Sequence, residues 1–155
     1  MKINDFFGLI IALFFVVSMF LYFILNSSYH KSIQAKYYFV LGDYENAYLY
    51  ANSAYEQENY NLMAYTIKQQ SSISLGILKY INQAKEYFNK INEISLQQYL
   101  SITDKKRMKV YARIVVEGYD TLNYTALTDK DLLKEALKLR NEFDKLLQEL
   151  SQDDF

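Results

Sequence analysis

The chain offers little with which to do covalent chemistry. It has one histidine, His30, and no cysteine. A lone imidazole builds no histidine-rich metal site, and no HExxH or Glu-x-x-His pair supports it. Without cysteine there is neither a disulfide framework nor a thiolate metal site. The acidic pairs Glu56/Glu58 and Asp129/Asp131 read as a solvated face and as helix-start charges. No GxxxxGK[ST] or GxGxxG loop is present to cradle a phosphate. The expectation is a protein that is not an enzyme, with no catalytic, cofactor-binding or metal-ligating residue and no cofactor.

One charged cluster stands out: Lys105, Lys106, Arg107, Lys109 and Arg113. On a helix these avoid the apolar face of Met108, Tyr111 and Val115. Such a patch suits anionic lipid headgroups, at about 1 kcal/mol per cation, or a partner protein; a solvated face is the plainer reading. Beyond residue 25 the chain carries 16 basic and 17 acidic side chains. That balance argues against nucleic acid as a partner, since phosphate binding needs a clear positive excess.

The element that must place everything else is at the start. Residues 6–25, FFGLIIALFFVVSMFLYFIL, are uncharged, and fifteen of the twenty are Leu, Ile, Phe or Val. A helix of that length covers about 30 Å, the hydrocarbon thickness of a bilayer. The run is longer than a signal-peptide core, and Phe23-Ile24-Leu25-Asn26 places bulky residues where cleavage would want small ones. It therefore predicts an uncleaved single-pass transmembrane helix behind a five-residue tail, 1–5, in a cell membrane. The flanking lysines Lys2, Lys31 and Lys36 nearly balance, with a slight excess that favours a cytoplasmic C-terminal domain. The short tail resembles that of signal-anchor proteins and points to an extracytoplasmic domain.

Beyond the anchor the chain reads as all-α. It has no proline and four glycines, too few turn formers for a sheet of this size. The first helix either runs on to Leu41 or breaks at Asn26-Ser27-Ser28. Gly42-Asp43 makes a turn. A helix over 44–56 puts Ala47, Tyr48, Ala51, Ala54 and Tyr55 on one face, and further helices are expected over 62–78 and 81–94. In the latter, Ala84, Tyr87, Phe88 and Ile91 form a core-facing stripe. A break falls within 95–104, with Thr103 as the expected cap and Gly118-Tyr119-Asp120 ending the next helix. Thr128 with Asp131 reads as a capping box. It opens a C-terminal helix carrying Leu132, Ala136, Leu139, Phe143, Leu146 and Leu150, before a frayed tail, 151–155. The organisation is thus a membrane helix followed by about five to six helices, with hairpins over 29–95 and 104–150.

Ala35, Tyr38, Gly42, Asp43, Tyr44, Ala47 and Ala54 are spaced as in a known unit. The segment resembles the tetratricopeptide repeat, a helix–turn–helix of about 34 residues. The alanines allow close helix packing, the tyrosines fill the space around them, and Gly42 supplies the turn. A second, degenerate unit lies 37 residues later, with Ala84 and Phe88 at matching positions and Lys79 at its turn. The resemblance covers about residues 29–93. It implies a module that binds a peptide or protein in a groove lined by first helices, and no contact set is carried over.

Together these features predict a membrane-anchored interaction or scaffold module whose partners are the bilayer and a protein of unknown identity. Accessory membership of an envelope, secretion or pilus complex is the setting they suggest. The alternative is a structural membrane component that forms a homo-oligomer through the anchor, where Gly8 and Ala12 make a small-xxx-small pair, and through the C-terminal helix.

Overall fold

A computed structural model of the chain describes residues 3–25 and 27–152, with side chains placed at 7–22 and 27–152. Among the described residues there are six helices and no strand: α1 Ile3–Leu25, α2 Ser27–Val40, α3 Tyr44–Gln57, α4 Leu62–Ser95, α5 Ile102–Asp120 and α6 Lys130–Gln152. They divide into two compact units, residues 1–71 and 72–155.

In the first unit, α1 and α2 are separate helices; Asn26, between them, lies outside the described residues, as do residues 1–2 of the tail. Phe7–Tyr22 and Ser27–Val40 meet at 63°. No single described helix is long and apolar enough by itself to cross a membrane; this bent pair is so only together.

Helices α2 and α3 form an antiparallel hairpin. Gly42 takes φ +78°, a left-handed conformation that glycine adopts without the steric penalty of a Cβ. Asp43 follows as N-cap of α3. Its carboxylate accepts the Asn46 side-chain amide at 2.7 Å and the Asn46 N–H at 3.1 Å. Those bonds hold the Asp43 carboxyl below the usual range. Ala35, Ala47, Ala51 and Ile67 form the buried apolar centre, with Tyr38, Phe39 and Tyr50 packed against it. Tyr38 stacks on Tyr50 at 5.3 Å, and Phe39 meets Tyr44 edge-on at 5.4 Å. These pairs join the end of α2 to the start of α3.

The second unit is a three-helix bundle of α4 from Ser72 onward, α5 and α6. Tyr87 stacks on Tyr111 at 5.1 Å, Tyr80 meets Tyr119 edge-on at 6.0 Å, and the Tyr80 hydroxyl donates to the Val115 carbonyl at 3.1 Å. That order runs α5 antiparallel to α4. Phe143, Ile77 and Ile81 are the largest wholly buried side chains in its core.

Three sequence expectations need correction. Helix α4 is continuous over 34 residues, so the two helices expected over 62–78 and 81–94 are one, and the turn expected at Lys79 does not form. Nothing from Leu78 to Ile81 breaks a helix, and burial of Ile77, Tyr80 and Ile81 outweighs the modest helix penalty of Gly76, about 1 kcal/mol. Ser101, not Thr103, caps α5: Ser101 and Asp104 form a reciprocal capping box, which starts the helix earlier. Helix α5 ends at Asp120, within the expected Gly118-Tyr119-Asp120 segment, and Thr121 caps it in a right-handed conformation. Asp129 takes the capping role expected of Thr128, accepting the Asp131 N–H at 2.8 Å and the Leu132 N–H at 3.4 Å. Thr128 is buried instead, accepting the Thr125 N–H at 2.8 Å. Of the tail expected to fray, Ser151 and Gln152 are helical and 153–155 lie outside the described residues.

Along α4 the hydroxyls of Ser71, in the first unit, and Ser74, in the second, are buried without a hydrogen-bond partner.

Candidate interaction site

The residues singled out for hairpin packing are mostly interior. Ala35, Ala47, Ala54 and Ala84 have no exposed surface and Tyr44 is buried, while Tyr38 is half-buried. Phe88 differs: it is 44% exposed and touches Phe143 only edge-on at 6.3 Å. Ala84 and Ile91 turn inward on the same helix, and Phe88 is left at the rim.

A buried polar cluster in the first unit is not evident from residue spacing. The Asn61 amide donates to the Ser28 hydroxyl at 2.9 Å and to the Ser32 hydroxyl at 2.8 Å. Ser28 donates to the Ala54 carbonyl and Ser32 to the Ser28 carbonyl, each at 2.9 Å. The Asn61 side-chain oxygen accepts the Ala64 N–H at 3.1 Å. One side chain thereby starts α4 and fastens it to α2 and the end of α3. The signal in the sequence is an Asn immediately before the apolar Leu62, a helix-start signature; nothing local ties it to serines 33 and 29 positions back.

The same end of the hairpin faces α1. The Tyr22 hydroxyl donates to the Glu58 carboxylate at 3.4 Å. Beyond Glu58 the α3–α4 turn presents Tyr60 and Leu62 almost bare, 82% and 77% exposed, with Met63 beside them. Along α1 the large apolar side chains from Phe7 to Tyr22 are 46–67% exposed. Among the described residues, none covers a side of this helix.

The basic cluster lies at the beginning of α5. At 3.6 residues per turn, Lys105, Lys106, Lys109 and Arg113 share one flank, whereas Arg107 falls on the other side of the buried Met108–Ala112–Val115 stripe. Arg107 stands 4.0 Å from Asp104. Asp104, whose carboxyl is lowered chiefly by the Ser101 hydrogen bond, partly offsets cations placed at the positive end of the helix dipole. The patch is thus four cations rather than five.

Two of the surface clefts among the described residues of the second unit have distinct linings. One, of about 190 Å³, is lined by Ser72, Ile73, Gly76 and Ile77 of α4 and by Thr121, Leu122 and Asn123; none of these ionises. The other, of about 280 Å³, is lined by Lys85, Phe88, Asn89, Leu139 and Glu142, and its Lys85 is already paired with Glu135 at 2.6 Å. Among the described residues no group of three His, Asp or Glu gathers as metal ligands would. The apolar stripe of α6 is used inside the bundle: Ala136, Phe143 and Leu150 are buried in it, and Leu132, Leu139 and Leu146 pack against them.

No family model matches the chain, and neither a curated protein nor a solved structure is found to be similar to it.

Proposed function

We propose that this is a single-pass membrane protein whose α1 is the anchor and whose helical domain is a tetratricopeptide-like interaction module, a scaffold or accessory subunit in an envelope, secretion or pilus complex. The carrying observation is the bareness of α1. A helix apolar on all sides either lies buried in protein or spans a bilayer, and no described residue covers Phe7 to Tyr22. The repeat-like reading of α2–α3 is supported by its wholly buried alanines and by the left-handed Gly42. One such hairpin is present, since α4 continues through the position of a second turn.

Membrane extraction tests the anchor. The protein should stay with the membrane through alkaline carbonate and leave it in detergent, and Phe14→Lys with Phe15→Lys should release it. Release of the unaltered chain by carbonate would defeat the reading. Protease added to sealed vesicles then decides the side, and affinity capture of the anchored chain should return the same companion protein repeatedly.

A second reading, a homo-oligomer assembled through the anchor, is favoured by one feature: the face of α1 at Gly8 is open, with no atom within 4 Å of where a Cβ would stand. Gly8→Leu with Ala12→Leu should abolish self-crosslinking in membranes if that face is the contact.

A further inference from the structure

We infer that the α3–α4 turn, led by Tyr60 and Leu62, is a second membrane contact, resting on the interfacial zone of the bilayer beside the anchor. The inference rests on the anchor reading of α1 and adds a surface to it.

Position comes first. Tyr22 lies three residues before Leu25, the end of the apolar run, so it sits about 4.5 Å along the helix from that end. This is the depth at which tyrosine rings collect, ring in the apolar layer and hydroxyl toward the headgroups. The Tyr22 hydroxyl donates to Glu58, so the start of the turn lies at the edge of the hydrocarbon. Tyr60 and Leu62 follow by two and four residues.

Chemistry decides the occupant. Tyr60, Leu62 and Met63 are exposed together, an apolar trio with one amphipathic ring at its edge, as an interfacial segment requires. No Lys or Arg occurs between Lys36 and Lys68, while Glu56 and Glu58 precede the trio. The contact is therefore apolar in origin and indifferent to lipid charge and salt, unlike a polybasic patch.

The chain contains no tryptophan, so substitution creates a sole indole reporter. Full-length Tyr60→Trp is reconstituted in phosphatidylcholine vesicles carrying bromine near the headgroup end of the acyl chains. Tyr99→Trp, equally bare at 83% but in the second unit, serves as the solvent reference, and Phe14→Trp with bromine deep in the chains monitors the anchor. The expected result is quenching of the Tyr60→Trp variant several-fold stronger than that of Tyr99→Trp, unchanged by salt or by added anionic lipid. Quenching no stronger than at Tyr99, with Phe14→Trp fully quenched, overturns the docking while leaving the anchor intact. Shielding of position 60 from acrylamide without quenching by lipid means a protein covers the turn, which also overturns it. An unquenched Phe14→Trp removes the anchor reading and this inference with it.

Discussion

The Asn61 amide and the Ser32 hydroxyl, 29 positions apart in sequence, meet at 2.8 Å inside the first unit. With Ser28 they place a satisfied polar cluster where an otherwise apolar hairpin would tolerate several helix registers. A buried polar group that finds partners in one arrangement only excludes the others, because leaving it unpaired costs about 1–3 kcal/mol.

Asn61→Ala should therefore be among the most harmful single changes in this unit. It takes a donor from two buried hydroxyls and an acceptor from the Ala64 N–H, at a cost of about 3 kcal/mol. Ser32→Ala, which leaves Asn61 bonded to Ser28, should cost about 1 kcal/mol. Urea unfolding of the full chain in detergent compares the two, and equal losses would contradict this ranking.

Gly42→Ala should destabilise the hairpin by about 1 kcal/mol. The position is open, with no atom within 4 Å of a new Cβ, so the whole effect comes from φ +78°. Gly42→Asn should recover part of the loss, since Asn visits this conformation more readily. Thermal melts of the three chains would show it.

Gly118→Ala should have the opposite sign. Gly118 is inside α5, and an added Cβ would stand 3.6 Å from the Tyr80 ring, an ordinary contact. A gain of up to about 1 kcal/mol is expected from helix propensity. A loss in the same melt would mean that the Tyr80 ring cannot share that space.

Tyr80 makes the fold sensitive to alkali. Burial, then the neighbouring Tyr119, pushes its hydroxyl up from 10.0 to about 12. The folded state holds this proton more tightly than the unfolded chain does. Stability is therefore full below about pH 10 and falls as the pH rises toward about 12, by up to about 3 kcal/mol. Tyr80→Phe should flatten that part of the stability–pH curve while losing the bond to Val115; an unchanged slope would show that other tyrosines carry the effect.

Much of this architecture could be read from residue spacing. The all-α class followed from the missing prolines and scarce glycines, and the Gly42–Asp43 turn from one of the few glycines in the chain. The inward alanines followed from helical periodicity. What stayed hidden depended on competition between comparable local options. Ser101 and Thr103 are both acceptable caps, as are Thr128 and Asp129, and only the reciprocal bond to Asp104 or the burial of Thr128 decides. The continuity of α4 was obscured by Gly76, whose weak preference against helix yields to the packing of its neighbours. The Asn61 cluster joins distant segments, and no periodicity reports that. The turn beside Tyr22 was likewise invisible, because an exposed Tyr or Leu in a sequence looks the same whether it faces water or lipid.

The partnerless hydroxyls of Ser71 and Ser74 have a bearing on evolution and engineering. Each was stripped of water without a bond in return, so each holds the fold below the stability its backbone could support. Alanine at either place should raise the midpoint of unfolding, by about 1 kcal/mol per site. Alanine at both places would thus give the fold a margin against which destabilising changes elsewhere could accumulate without unfolding the protein.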